Sequence, residues 1–489
     1  MEGLPPGPIS LRAGKLMRST LISGLFLAGF VALVAPIARL RFDSRAQTLP
    51  PPNTLPPLPT QSIPPLPSRV IAPAQAQFTT PGGLEQAGLS IPAPIVKSSA
   101  PGVAPTQLPG SGWASRLEKD HANLPPLTRQ MLFTLRRGAD WLARMNGVKG
   151  TFSPGVSPAV REEVIDEGLL RQLSAAWALG RAAQALGDAK YEARALQALL
   201  CALEDSMVDP ADPQCRYTSV PQVLVPRLQG TAMMALAIVE QPNPPSDMVD
   251  QAEQMVNYIR KHAFDEKTLQ SSHHANLNQA DCASSPRYLM AYTLLRSHKV
   301  RPSAWKPELA RQCVGVTQGT VTVAEQPWQG LALAELSRTT GDREATNRLY
   351  TLCEELMRWQ QVRLDPAHPR FLGGFQPPAT GPTTPGQSNQ PPNTSTCAAI
   401  LITLAEGAIL AREQGDSPRN QALMEAVDRS TQYLAQQQYT EATAQHFAEW
   451  YRPLLEGGFR ETEQDGNLRL FTQHLALAGL QQALRASAP

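Results

Sequence analysis

Helices of two kinds alternate along this chain, and that alternation limits its possible folds more than any other feature. Residues 168–187 read GLLRQLSAAWALGRAAQALG. Leu169, Leu170, Leu173, Trp177, Gly180, Ala183 and Leu186 recur at helical spacing, and the other faces are largely alanine. A helix that is apolar or small on nearly every side is enclosed on nearly every side. The next segment, AKYEARALQALLCALEDSMV, carries one apolar stripe through Leu196, Leu199, Leu203 and Met207. Lys190, Glu192, Arg194 and Glu204 lie opposite, so that helix meets water on one face.

The predicted helices span 126–146, 166–187, 188–207, 226–241, 246–264, 284–299, 303–316, 325–341, 342–363, 396–415, 417–438 and 468–486, with a short extra one near 440–453. The enclosed kind recurs at 226–241, 284–299, 325–341, 396–415 and 468–486, which makes six inner helices and six outer ones. Three inner helices end in Gly-Asp, at Asp188, Asp342 and Asp416. Glycine there supplies a left-handed C-terminal cap and aspartate starts the next helix, so inner and outer helices form tight antiparallel pairs. The connections from outer to inner helices are mostly long and polar. Six short turns at one end and long loops at the other predict an all-α, closed ring of hairpins with its long loops gathered on one face. Gly373-Gly374-Phe375 and Gly457-Gly458-Phe459 precede two inner helices, and Gly150-Thr151-Phe152 reads as a third, worn copy. The glycines let the backbone bend sharply toward the ring axis, with the aromatic packed beneath the loop.

Six hairpins with small-residue inner helices resemble the (α/α)6 toroid superfamily, which includes terpenoid cyclases, protein prenyltransferase β-subunits, six-hairpin glycosidases, sugar 2-epimerases and uronate-polymer lyases. Residues 172–210 are the closest local match, and GGFRETEQDGNLRLFTQH is similar to the closing segment of many toroids. The resemblance covers about residues 120 to 487 and is one of architecture. There is no DxDD, with which squalene-type cyclases protonate an alkene, and no repeated Q-x-x-D-G-x-W. Asp281 and Cys282 are adjacent, which breaks the prenyltransferase zinc spacing, and Leu470 occupies a place that is often acidic in related closing segments. A named activity does not transfer, because fold does not fix function.

Before the helices the composition changes. Residues 19–38, STLISGLFLAGFVALVAPIA, carry no charge and are long enough to cross a bilayer. Arg12, Lys15 and Arg18 precede them, while Arg39, Arg41 and Arg45 follow. The segment reads as an uncleaved anchor, with a cleaved signal peptide as the alternative. The prolines, 46 in all, crowd the stretch that follows, which reads as an extended tether without a core. The expected organisation is a cytoplasmic tail (1–18), a signal anchor or signal peptide (19–40), a proline-rich linker (41–114) and a toroid (115–489). The toroid is expected outside the cytoplasmic membrane, periplasmic and anchored, or secreted if the leader is cleaved.

With 44 basic and 42 acidic residues the net charge is +2, which argues against a nucleic-acid partner. The absence of a P-loop, GxGxxG after a strand, HExxH and GxSxG removes support for nucleotide, zincin and serine-hydrolase readings. The six cysteines form no CxxC pair. Cys201, Cys313 and Cys353 fall within helical patterns, where a buried thiol is ordinary. His273 and His274, with Asp281 as their only near acid, read as a solvated pair, and no metal or cofactor is expected.

Three groups of residues have chemical potential. His446, Glu449 and Tyr451 would share a helical face as a base and proton-donor set, with His474 as a further candidate. An i,i+3 surface pair is the plainer reading. Arg171 and Gln172, Arg287 and Tyr288, and Arg469 and Gln473 fall in the first turns of inner helices, with Arg460 in the loop before the last. Singly each would cap a loop carbonyl. Together they would form a positive rim for an anionic or hydroxyl-rich ligand such as a polysaccharide. Trp177 is either core or a stacking platform. Glu162, Glu163, Asp166 and Glu167 would favour a helix N-terminus electrostatically. The leading reading is a membrane-tethered toroid that binds or acts on a carbohydrate-like ligand, by lyase, epimerase or glycoside-hydrolase chemistry if it is an enzyme. The alternatives are a non-catalytic scaffold for protein interaction and a terpenoid-cyclase-like protein that lacks the acid motif. A polar mouth with Arg, His and a carboxylate in reach favours the enzyme, whereas an alanine-and-leucine plug favours the scaffold.

Overall fold

The computed structural model describes residues 123–164, 168–219, 227–263, 287–315, 326–377 and 390–488. The tail, the apolar segment and the linker, together with Asp166, Glu167, His273, His274, Asp281 and Cys282, lie outside the described residues.

Twelve long helices alternate as the sequence predicts. The outer ones are α1 (Pro126–Met145), α3 (Ala189–Leu203), α5 (Ser246–His262), α7 (Trp305–Gly315), α9 (Arg343–Arg358) and α11 (Ser417–Gln437). The inner ones are α2 (Leu169–Leu186), α4 (Arg227–Val239), α6 (Arg287–Val300), α8 (Gln326–Thr340), α10 (Thr394–Glu413) and α12 (Leu470–Ser487). Every residue of α10 from Thr394 to Ala411 is buried. Outer α5 buries only the stripe Met248, Val249, Ala252, Met255, Val256, Tyr258 and Ile259. The inner helices pack in the cycle α2, α4, α6, α8, α10, α12 and back to α2, so the ring is closed. Helix α10 is long and apolar enough to cross a membrane, but it lies wholly inside the protein.

The Gly-Asp junctions are as expected. Gly187, Gly341 and Gly415 have φ of 65°, 67° and 74°. The Asp188, Asp342 and Asp416 carboxylates accept from the backbone N–H of Lys190, Ala345 and Arg419. One expectation changes: only five short turns are covalent. The sixth pair is made by the two ends of the helical region, where α12 packs on α1 without a turn between them.

The three glycine-aromatic turns form one repeated clasp. At the end of each outer helix an amide side chain donates to the carbonyl of the first glycine: Asn146 to Gly150 (2.8 Å), Gln360 to Gly373 (3.3 Å) and Gln438 to Gly457 (3.0 Å). The same three residues form β-bridges with Phe152, Phe375 and Phe459, whose rings are buried. Each first glycine has positive φ (92°, 85° and 93°). A Cβ there would run into the carbonyl of Gln197, Arg429 or Arg137, respectively. In each case that carbonyl belongs to the next outer helix around the ring (α3, α11 and α1). The last clasp therefore treats α1 as the successor of α11, which is the geometry of closure. The next inner helix holds the phenylalanine backbone. Phe152 N–H donates to Gln172 Oε1 (2.7 Å), Phe459 N–H to Gln473 Oε1 (2.7 Å) and Phe375 N–H to Cys397 Sγ (3.2 Å).

The described residues are mostly helical, and two small sheets accompany the helices. Strands β1 (Gly155–Ser157), β2 (Glu162–Glu163) and β5 (Leu468–Arg469) pair in the order β2-β1-β5, which joins the two ends of the helical region. Glu162 and Glu163 therefore sit in an exposed strand rather than at a helix start. Strands β3 (Ser206–Asp209) and β4 (Asp212–Thr218) form a hairpin where the outer helix was expected to run on to residue 207. Helix α9 stops at Arg358, short of 363, because Gln360 is taken into the second clasp. The predicted helix at 440–453 is two separate turns, Glu441–Ala444 and Arg452–Leu455. No two described cysteines are bonded to each other.

Candidate functional site

The expected base and proton-donor set is not assembled. His446 and Glu449 are exposed and lie in the break between the two short turns. Tyr451 is buried and donates to Ser157 O (3.4 Å), and burial raises its pKa. His474 is buried, with Nδ1 3.2 Å from Leu470 O and the ring edge-on to Phe471. Burial, aided by the nearby Arg171 charge, pushes its pKa down to about 3, so the ring is neutral.

The predicted rim is largely spent on holding loops. Gln172 and Gln473 also donate to Phe152 O (2.9 Å) and Phe459 O (2.6 Å), which completes the bidentate hold on each clasp. Arg460 donates to Gln436 O and lies over the Tyr439 ring. Tyr288 is buried and accepts from Gln329 and Arg348. Arg469 is exposed at the start of α12, and Arg171 lies over Phe471, 5.9 Å from the ring centroid. Arg287 keeps a buried Nε with no hydrogen-bond partner.

Trp177 is not an open platform. It is fully buried, packs at a tilt of 53° against Trp328 (5.1 Å between centroids) and donates from Nε1 to Glu240 Oε2 (2.6 Å). Trp328 stands in the first turn of α8, only partly buried, with Tyr292 6.4 Å away. Arg181 lies over the Trp177 ring, 4.9 Å from its centroid.

Next to this aromatic pair the inner helices are joined by a belt of buried charge, an outcome neither expectation covered. Glu240 accepts from Tyr292 (2.8 Å) and pairs with Arg296 (2.6 Å), while Arg181 stands 3.9 Å away. Glu335 contacts Arg296, Lys299 and Arg338 (3.8, 2.5 and 3.9 Å). Glu406 pairs with Arg338 (2.8 Å) and Arg485 (3.5 Å) and accepts from Gln482, which in turn accepts from Arg181. The belt therefore passes through all six inner helices or their ends. Burial works against the Glu406 charge, but Arg338, Arg485 and Arg181 outweigh it and hold its pKa at about 2. Glu240 is lowered in the same way by Arg296 and Arg181. The guanidiniums thus favour the charged form of Glu240 and Glu406, the opposite of what a general acid needs. Sequence reasoning missed the belt, although a signal was present. Charged residues recur near the C-terminal ends of otherwise apolar inner helices, as in LAIVE, AELSR, LAEGAILAR and QQALR.

No protein-family model and no curated protein matches the chain. Solved structures similar to it include three of different kinds. One is an inactive variant of an α-1,6-mannanase from Salegentibacter sp. in complex with α-1,6-mannotriose (9% identity, 73% of this chain and 100% of that one, TM-score 0.44). Another is cellobiose 2-epimerase from Bacillus thermoamylovorans (11%, 70% and 95%, 0.48). A third is a type II terpene cyclase from Scytonema with geranylgeranyl dihydroxybenzoate (13%, 74% and 100%, 0.44). All three are (α/α)6 toroids. This chain shares that architecture, as its own closed ring of six inner helices establishes.

Proposed function

We propose that the chain is an exported, membrane-tethered toroid whose long-loop face binds a carbohydrate-like ligand, as a recognition module rather than a catalyst. The observation that carries this reading is the aromatic pair at the mouth end of the axis. Trp328 keeps part of its ring accessible and is backed by the buried Trp177. A partly exposed indole suits stacking on the apolar face of a sugar ring, and Arg171 and Arg287, in the first turns of other inner helices, suit hydroxyl or carboxylate groups. Against catalysis stands the commitment of the axial carboxylates to arginine. The tether rests on the uncharged run 19–38 and the proline-rich stretch after it.

The test is affinity electrophoresis of residues 115–489 through neutral and acidic polysaccharides. At least one polymer should retard the protein, and Trp328→Ala should weaken that retardation about tenfold, the loss of one stacking contact. No retardation across the panel, or retardation unchanged by Trp328→Ala, would overturn the reading. A protein-interaction scaffold is the second reading. It is favoured by Trp450, which is 68% exposed beside the exposed Leu454, and it would be supported by a binding partner lost in Trp450→Ala.

A further inference from the structure

The axial belt has an unequal charge balance. Among the described residues, four guanidiniums (Arg181, Arg296, Arg338 and Arg485) meet three carboxylates (Glu240, Glu335 and Glu406). Lys299 and Glu413, which bind into the belt from its more exposed edge, offset each other. The surplus positive charge is localised. Glu240 is taken up by Arg296, Tyr292 and Trp177 at 2.6 to 2.8 Å, so Arg181 is left at 3.9 Å. Arg181 has a side-chain exposure of only 5%, and its Nη1 makes no hydrogen bond. Glu406 likewise holds Arg338 more closely (2.8 Å) than Arg485 (3.5 Å). Arg181 and Arg485 then converge on one neutral acceptor, Gln482 Oε1, at 2.5 and 3.1 Å. A neutral amide oxygen satisfies two donors but cancels neither charge, so each arginine keeps only a long-range carboxylate, Glu240 at 3.9 Å from Arg181 and Glu406 at 3.5 Å from Arg485. Arg485 is 37% exposed, so the cluster is open to solvent at this point.

We propose that the short-turn end of the axis, between Arg181 and Arg485, is an anion site that takes a small oxyanion group, a phosphate or a carboxylate. It lies at the opposite end of the inner helices from Trp328 and does not depend on the long-loop face binding anything. Guanidinium pairs hold such groups through charge-assisted hydrogen bonds. A bound anion would add a closer countercharge and tie the first inner helix to the last.

The test uses the full-length chain at constant ionic strength, titrated separately with inorganic phosphate and with acetate while the thermal unfolding midpoint is followed. Either anion should raise the midpoint saturably, and the one that does so at lower concentration identifies the preferred group. Arg485→Gln should weaken the half-saturation concentration about tenfold or more, the loss of one charge-assisted bond. Arg485→Lys should keep most of the response. Because a belt variant could misfold, a bromide-soaked crystal of the unmodified chain gives an independent reading, with an anomalous peak expected in contact with Arg181 and Arg485. A midpoint that does not respond to either anion, a response unchanged in Arg485→Gln, or bromide bound only elsewhere would overturn the proposal.

Discussion

Replacing Gly457 by alanine tests the clasp and the closure of the ring together, with Gly415→Ala as an internal control. Both glycines have positive φ, 93° and 74°. An L-residue in that region costs about 1–2 kcal/mol, and the reduced freedom of the unfolded chain returns about 0.4–1 kcal/mol. Gly415 has nothing within 4 Å of an added Cβ, so Gly415→Ala should destabilise by about 1 kcal/mol or less. Gly457 differs in its surroundings. Its Cβ would strike the Arg137 carbonyl and come within 3.1 Å of Trp141 Cβ, both on α1. Overpacking against backbone adds about 1–3 kcal/mol, so Gly457→Ala should cost about 2–4 kcal/mol in all. Urea unfolding of both variants, at matched m-values, measures the difference. Equal losses at the two sites, or a smaller loss at Gly457, would show that the turn is not pressed against the first outer helix, and the clasp argument would fail.

Other outcomes follow from the same contacts. Gln473→Leu strips both the N–H and the C=O of buried Phe459 of their partner and should cost about 2–5 kcal/mol in urea unfolding, the penalty for two unsatisfied buried groups. The acid response has a definite sign. His474 is held neutral down to about 3, whereas its unfolded value is near 6.5, so the unfolded state binds the extra proton between those limits and stability falls as pH drops through that window. Glu406, with its pKa held at about 2, adds stability that is present above its unfolded value and lost as pH falls from about 4.5 toward 2. A denaturant series from pH 7 to pH 5 should therefore show a decline in the parent chain that His474→Gln reduces, and an unchanged slope would refute the burial of that ring.

The parts of the fold that were legible in the sequence depend on local chemistry. Gly187, Gly341 and Gly415 announce left-handed caps by themselves, and the alternation of all-apolar with one-stripe helices separates inner wall from outer. The β3–β4 hairpin was missed because ALLCALEDS has strong helix propensity and runs smoothly into Ser206. Only the later pairing of Met207 with Tyr217 turns the chain aside. Site residues fared worse for a physical reason. Gln172, Tyr288 and Gln473 fall in the first turns of inner helices, but whether a polar side chain faces a ligand or a loop carbonyl depends on contacts that residue spacing does not fix. The belt is the extreme case, since Arg181 and Gln482 are 301 residues apart and meet only because the ring closes.

That closure is the central claim, and a size exchange across the seam tests it most directly. A Cβ on Gly138 of α1 would lie 2.8 Å from Leu477 Cδ1 of α12. Gly138→Ala should destabilise by crowding and Leu477→Ala by leaving a cavity, and the double variant should recover about 1 kcal/mol or more of their summed cost. Costs that add within about 0.5 kcal/mol would mean that the first and last helices do not touch, and the toroid account would be wrong.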